Sequence, residues 1–157
     1  MNKKFYLTKK GFERLKKEYE TLKKLRLAKI KDGEFPKILH SEDLDPEYLS
    51  FWDDLNFLEN RILELEDIFK NAELIKLPPK EKRNVVNLGA TVLVEIDNQE
   101  DELTIVGTLE ANPSIGRISN ESPVGKALLG HKVGDEVVIS SPVRAVYKIK
   151  KITYKDL

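Results

Sequence analysis

The 157-residue sequence predicts an α+β protein: an N-terminal antiparallel helical coiled-coil hairpin, followed by a small antiparallel sheet packed on one helix. Three observations carry this expectation. Apolar residues between 46 and 73 recur at helical spacing, the pair Pro78-Pro79 interrupts that pattern, and beyond it the apolar period shortens to that of strands.

The clearest helix covers residues 46–73, where Tyr48, Phe51, Leu55, Leu58, Ile62, Leu65, Phe69 and Ala72 alternate spacings of three and four, a heptad seam. Asp45-Pro46-Glu47 supplies a capping carboxylate, a proline at the first helical position and an acid in the first turn. At 1.5 Å per residue such a helix runs roughly 40 Å. Residues 9–31 form a second, weaker helix with Thr8 as its cap and Phe12, Leu15, Tyr19 and Leu22 on the seam. The seam then lands on Arg26 and Lys29, with Leu25, Leu27 and Ile30 beside it still able to bury area. One heptad helix cannot hide its seam alone, so the two are expected to fold back antiparallel through residues 32–45, where Gly33 and Pro36 break the first helix. The domain reading is a hairpin at 1–76, a linker at 77–84 and a sheet domain at 85–157. In the last block, strands are expected at 90–96, 103–109, 137–139 and 145–152. A short helix interrupts them, capped by Ser122, opened by Pro123 and stopped by Gly130.

The charge is split. Residues 1–31 carry twelve Lys and Arg against three acids, and residues 32–73 carry thirteen acids against Lys37, Arg61 and Lys70. Opposite charge on the two helices favours the antiparallel pairing. The absence of cysteine excludes disulfides, thiolate zinc sites and cysteine nucleophiles, leaving His40 and His131, both expected at isolated surface positions. No apolar run is long enough to span a bilayer and the N-terminus lacks a signal peptide's apolar core, so a cytoplasmic location is expected.

The most specific stretch is Ile118 to Val137, with Ser122-Pro123, Ala127-Leu128-Leu129-Gly130 and Gly134-Asp135 at fixed intervals. It resembles the C-terminal signature of the Gre family of bacterial transcript-cleavage factors. Leu88-Gly89-Ala90-Thr91-Val92 is similar to the opening of that family's FKBP-like domain, and Leu7 to Leu15 to its first helix. Glu47-Tyr48, Glu59-Asn60-Arg61-Ile62 and Asn71-Ala72 sit at the family's spacing in the second helix. The resemblance covers nearly the whole chain. It implies a factor that binds bacterial RNA polymerase as a monomer, inserts the hairpin into the secondary channel and promotes cleavage of backtracked RNA without being an enzyme itself.

The family's chemistry resides at the hairpin tip. Here Asp43-Leu44 matches its Asp-Leu pair and Glu47-Tyr48 its Glu-Tyr pair, but two residues separate them where the family has four. Asp43 is the expected ligand of a second Mg²⁺ shared with the polymerase, with no cofactor held by the chain alone; Glu42 and Asp45 are possible substitutes for the missing carboxylate. Tip acids that merely solvate a loop and cap a helix are the structural alternative. The basic helix either lines the RNA 3′ end or pairs with the acidic helix. Trp52 is expected to be hairpin packing, with no aromatic cluster around it to make a base-stacking platform. Two other functions fit parts of the sequence: a Gre-like regulator that occupies the channel without stimulating cleavage, and, from another class, a coiled-coil scaffold or holdase.

Overall fold

The computed structural model describes residues 3–32, 46–140 and 143–155. Contacts divide the chain into a sheet unit, residues 1–12 with 72–157, and a helical unit, residues 13–71.

In the helical unit α1 (Lys9–Asp32, whose first turns belong to the sheet unit) and α2 (Pro46–Lys70) pack antiparallel. Tyr19 meets Phe69 edge to face near one end of the pair and Lys29 reaches Asp54 near the other, so the helices run in opposite directions, and Glu18 faces Arg61 between these contacts. The seam is the expected one: Leu55, Ile62 and Leu65 are buried, joined by Ile68, and Ile62 is 1% exposed. Leu25, Leu27 and Ile30 bury little, being 51, 52 and 40% exposed. The seam of α1 continues through Arg26 and Lys29, which are half-buried, so their aliphatic stems cover the contact and leave the leucines on its flanks.

The sheet unit has a five-stranded sheet in the order β5-β4-β3-β7-β6, built from β3 (Thr91–Ile96), β4 (Gln99–Val106), β5 (Arg117–Ser119), β6 (Glu136–Ile139) and β7 (Ala145–Thr153). Its centre is antiparallel as expected, but β5 runs parallel to β4, which makes the sheet mixed. The β3–β4 turn uses Asp97 and Asn98 with φ of 51° and 65°, the positive-φ pair of a tight hairpin. Strand β4 begins and ends earlier than its apolar pattern predicts: its first four residues are exposed, and Thr108–Glu110 forms a 3-10 turn. Val86, Ala90, Val92, Val94, Leu103, Ile105, Leu128, Val137, Ile139 and Ile149 make the core beneath the short helix α3 (Pro123–Leu128). Ser122 caps that helix as expected, accepting the Gly125 N–H at 3.0 Å.

Two three-residue strands, β1 (Phe5–Leu7) and β2 (Ala72–Leu74), pair in parallel within the same unit. Neither shows in the sequence, because three residues carry no period, and Ala72 continues the heptad spacing although it pairs with Phe5. The segment read as a linker contains a 3-10 turn at Lys80–Lys82, tied back by Arg83 Nε–H donating to the Pro78 carbonyl at 2.9 Å.

Candidate functional site

The acids expected to carry function, Glu42, Asp43 and Asp45, lie outside the described residues, as does His40. The structure describes the two limbs that bracket them. Helix α1 runs to Asp32 and α2 starts at Pro46 with Glu47 in its first turn, so all three acids belong to the segment 33–45 that joins the limbs. Among the described residues no three or more His, Asp or Glu side chains gather to hold a metal.

An aromatic cluster does accompany Trp52. Its ring meets Tyr48 at 6.2 Å and Phe51 at 5.3 Å, both edge to face, because positions 48, 51 and 52 share one helical face. All three are half-buried, and Lys29 Nζ lies 4.7 Å from the Phe51 centroid. These contacts use the rings for packing within the hairpin.

The charges cross-pair less than the sequence suggests. The best cross-helix pair has reversed polarity: Arg61 of the acidic helix donates from Nε and Nη2 to the two carboxylate oxygens of Glu18, at 2.7 and 3.2 Å. The guanidinium pKa rises because of this hydrogen bond. Among the described residues Lys29–Asp54, at 3.6 Å, is the one lysine–acid pair across the hairpin. Lys16, Lys17, Lys23, Lys24 and Lys31 stay exposed, and an open groove along α1 is lined by Lys23, Lys24, Arg26, Leu27, Ile30 and Glu59. Most of the positive charge on α1 is therefore left to solvent or to a partner.

A second constellation lies at the root of α1, inside the sheet unit. Thr8 caps the helix as expected, its Oγ1 accepting the Gly11 N–H at 3.0 Å. Glu110, 6% exposed, accepts the Thr8 backbone N–H at 2.7 Å and the Thr8 hydroxyl at 2.6 Å. Nothing in the sequence marks Glu110, since it follows Leu109 as an ordinary acid and its partner is 102 positions away. His131 is likewise not isolated: Nδ1 lies 3.1 Å from Asp135 Oδ2, which also accepts the Lys132 N–H at 2.9 Å. The Lys132 N–H and then the imidazole hold the Asp135 carboxyl below its usual range.

Known proteins match both parts of the chain. Residues 5–74 match the transcription elongation factor N-terminal family, and residues 80–154 match the GreA/GreB transcription elongation factor C-terminal family. The transcription elongation factor GreA of Thermomicrobium roseum is 44% identical over 137 residues, covering 87% of this chain and 88% of its own length. GreA of Rickettsia felis is 38% identical over 161 aligned residues, covering 100% of this chain and 99% of its own. A solved GreA/GreB factor from Nitrosomonas europaea is 25% identical over 97% of this chain and 99% of its own, with a TM-score of 0.44.

Proposed function

The chain belongs to the GreA/GreB family of transcription elongation factors, and we propose that it acts by presenting the tip carboxylate of Asp43 to the active site of RNA polymerase. As a GreA-type factor it stimulates cleavage of backtracked RNA by the polymerase and is not an enzyme itself. It works as a monomer beside the polymerase in the cytoplasm; no helix among the described residues is long and apolar enough to cross a membrane.

The observation that supports the reading is the antiparallel pairing of α1 with α2, which brackets 33–45 between the ends of two helices. A Mg²⁺ shared with the polymerase would polarise the phosphodiester and its attacking water, and carboxylate oxygens are the ligands this hard ion accepts. Asp43 is the residue that would hold it, with Glu42 and Asp45 as auxiliary acids. The exposed lysines of α1 supply attraction for the phosphates of the displaced RNA 3′ end, an effect that weakens with salt.

The decisive experiment is cleavage of a defined backtracked elongation complex with Mg²⁺ present. Asp43→Asn keeps size and removes charge; it abolishes stimulated cleavage and leaves polymerase binding nearly unchanged. Glu42→Gln and Asp45→Asn weaken activity less. Full activity in a variant lacking all three charges overturns the assignment. The two-residue spacing between Asp43-Leu44 and Glu47-Tyr48 favours a second reading, a factor that occupies the channel and inhibits; polymerase binding without any cleavage by the wild type selects it.

A further inference from the structure

We propose that two copies of this chain, free of polymerase, associate through the grooved face of the helical unit, the basic helix α1 of one copy lying antiparallel on the acidic helix α2 of the other.

The groove has an apolar floor that one hairpin leaves uncovered. On α1, Lys23, Leu27 and Ile30 follow at spacings of four and three, so they share one side of the helix. On α2, Glu59 lines the same groove. Leu63 follows it by four and Leu49 precedes it by ten, spacings that return to within a quarter turn of that side. Leu27, Ile30, Leu49 and Leu63 are 52, 40, 42 and 62% exposed. Large apolar residues gathered on one face and rimmed by charge mark a surface built to be covered.

Charge selects what covers it. Helix α1 carries ten Lys and Arg against four acids, and α2 seven acids against two bases. Among the described residues neither Lys23 nor Glu59 has an ion-pair partner; Lys23 Nζ rests 5.1 Å over the Tyr19 ring. Each helix thus offers surplus charge of the sign the other needs, but both offer it on the same side of one hairpin, which cannot fold onto itself. A second hairpin can reach it. A two-fold axis running along the hairpin keeps both copies pointing the same way and sets each α1 antiparallel on α2 of the other copy. Within one hairpin Lys29 meets Asp54 and the Tyr19 hydroxyl donates to Glu66 at 3.0 Å, so Lys23 stands roughly level with Glu59. Across the axis each Lys23 then faces Glu59 of the other copy, and Leu27, Ile30 and Leu49 of both copies gather beside that pair. The product is a four-helix bundle, which covers the stripe that two helices leave open. An RNA strand fits this face less well, because the Glu59 carboxylate repels phosphate and aliphatic side chains give bases no stacking platform. Lys17 and Lys31 lie off the face and stay available to RNA.

The pairing goes beyond the proposed function and does not rest on it, since neither polymerase nor RNA takes part. Sedimentation equilibrium of the full chain is expected to show the mass rising from one chain toward two as concentration rises. K23E and E59K each bring like charges together at both contacts and hold the mass at one chain. Mixed in equal amounts, the two variants regain opposite charge at both contacts, and the mass rises again; the double variant K23E/E59K does the same by itself. Leu27→Ser, at an exposed position, weakens association about tenfold or more, with helix content unchanged by circular dichroism. A mass of one chain at every concentration overturns the proposal, as do dimers that survive K23E, E59K and Leu27→Ser alike, or a mixture of K23E and E59K that stays monomeric. If a fluorescent single-stranded RNA binds the wild type, Leu27→Ser releases it and the mass stays at one chain throughout, the face belongs to RNA and the proposal falls.

Discussion

The sheet unit and the helical unit keep their apolar residues from water by different means. In the sheet unit ten residues of the core cluster come from four strands, α3 and the segment 86–90, so several elements share its burial. In the helical unit the four buried residues, Leu55, Ile62, Leu65 and Ile68, all lie on α2, and α1 offers half-buried positions that end in Arg26 and Lys29. Two helices alone can cover only one stripe of each other, so one unit has a core and the other a seam. A seam of this kind suits a limb that must be thin, and it concentrates stability in a few side chains.

The hardest test of that contrast is Ile62→Asp. The position is 1% exposed, and an unpaired charge there costs on the order of several kcal/mol. With so few buried residues in reserve, the helical unit should unfold while the sheet unit stays native. Hydrogen exchange is expected to show lost protection in α1 and α2 and retained protection in β3, β4 and β7. Simultaneous collapse of both patterns would mean that the seam and the core are one cooperative unit.

Next in size is the separation of the sheet unit from its N-terminal strand. Every residue of the main core cluster lies between 86 and 149, and of the sheet unit's buried apolar residues Leu7 alone, among the described residues, lies outside 80–157, so the fragment of those residues is expected to fold cooperatively. It lacks Thr8, however, and Glu110 must then face water. Glu110→Gln should cost about 1–2 kcal/mol in the full chain, where it removes a charge-assisted hydrogen bond, and nothing measurable in the fragment. Urea denaturation of the four proteins measures the difference; equal costs in both contexts would contradict the Thr8 tie.

The same contrast explains what was legible in the sequence. The seam, the Ser122 cap and the Thr8 cap were readable because their partners recur at a fixed period or lie three residues away. The Tyr48–Phe51–Trp52 cluster was equally local and was missed only by treating the seam as strict. Glu110, β1 and β2 were not readable: their partners are distant in the chain and their own segments are too short to carry a pattern. Leu25, Leu27 and Ile30 misled because apolar character predicts burial only where a second surface is present, and the stems of Arg26 and Lys29 already occupy it. At the candidate site residue types and spacing for Asp43, Glu42 and Asp45 were legible in the sequence, because a motif match needs only neighbours in the chain.

A smaller effect belongs to the seam's rim. Arg61 and Glu18 remain about one-third exposed, so their bidentate pair is screened, and Arg61→Met should cost roughly 0.5–1 kcal/mol. Arg61→Lys keeps the charge but loses the two-pronged geometry and should recover only part of it. Thermal melts in low and high salt distinguish lost charge from lost packing of the arginine stem.

The smallest effect is expected at the turn that leads into β6, where Asp135 accepts the Lys132 N–H and faces His131. The first of these contacts, then the second, lowers the carboxyl's pKa from the ordinary 3.8. A carboxylate whose folded pKa lies below its unfolded value adds stability above the unfolded pKa and loses it as pH falls through the folded one. Asp135→Asn should therefore melt slightly below the wild type at neutral pH, and the gap should close once the pH is well under 3.8. Because the side chain is nearly half exposed, salt should shrink the gap. Asparagine can still accept the Lys132 N–H, so a gap that survives in acid would trace to hydrogen-bond geometry and not to charge. The helical unit supplies the control: its hydrogen-exchange protection should be the same in Asp135→Asn and wild type at every pH, since this turn belongs to the sheet unit alone.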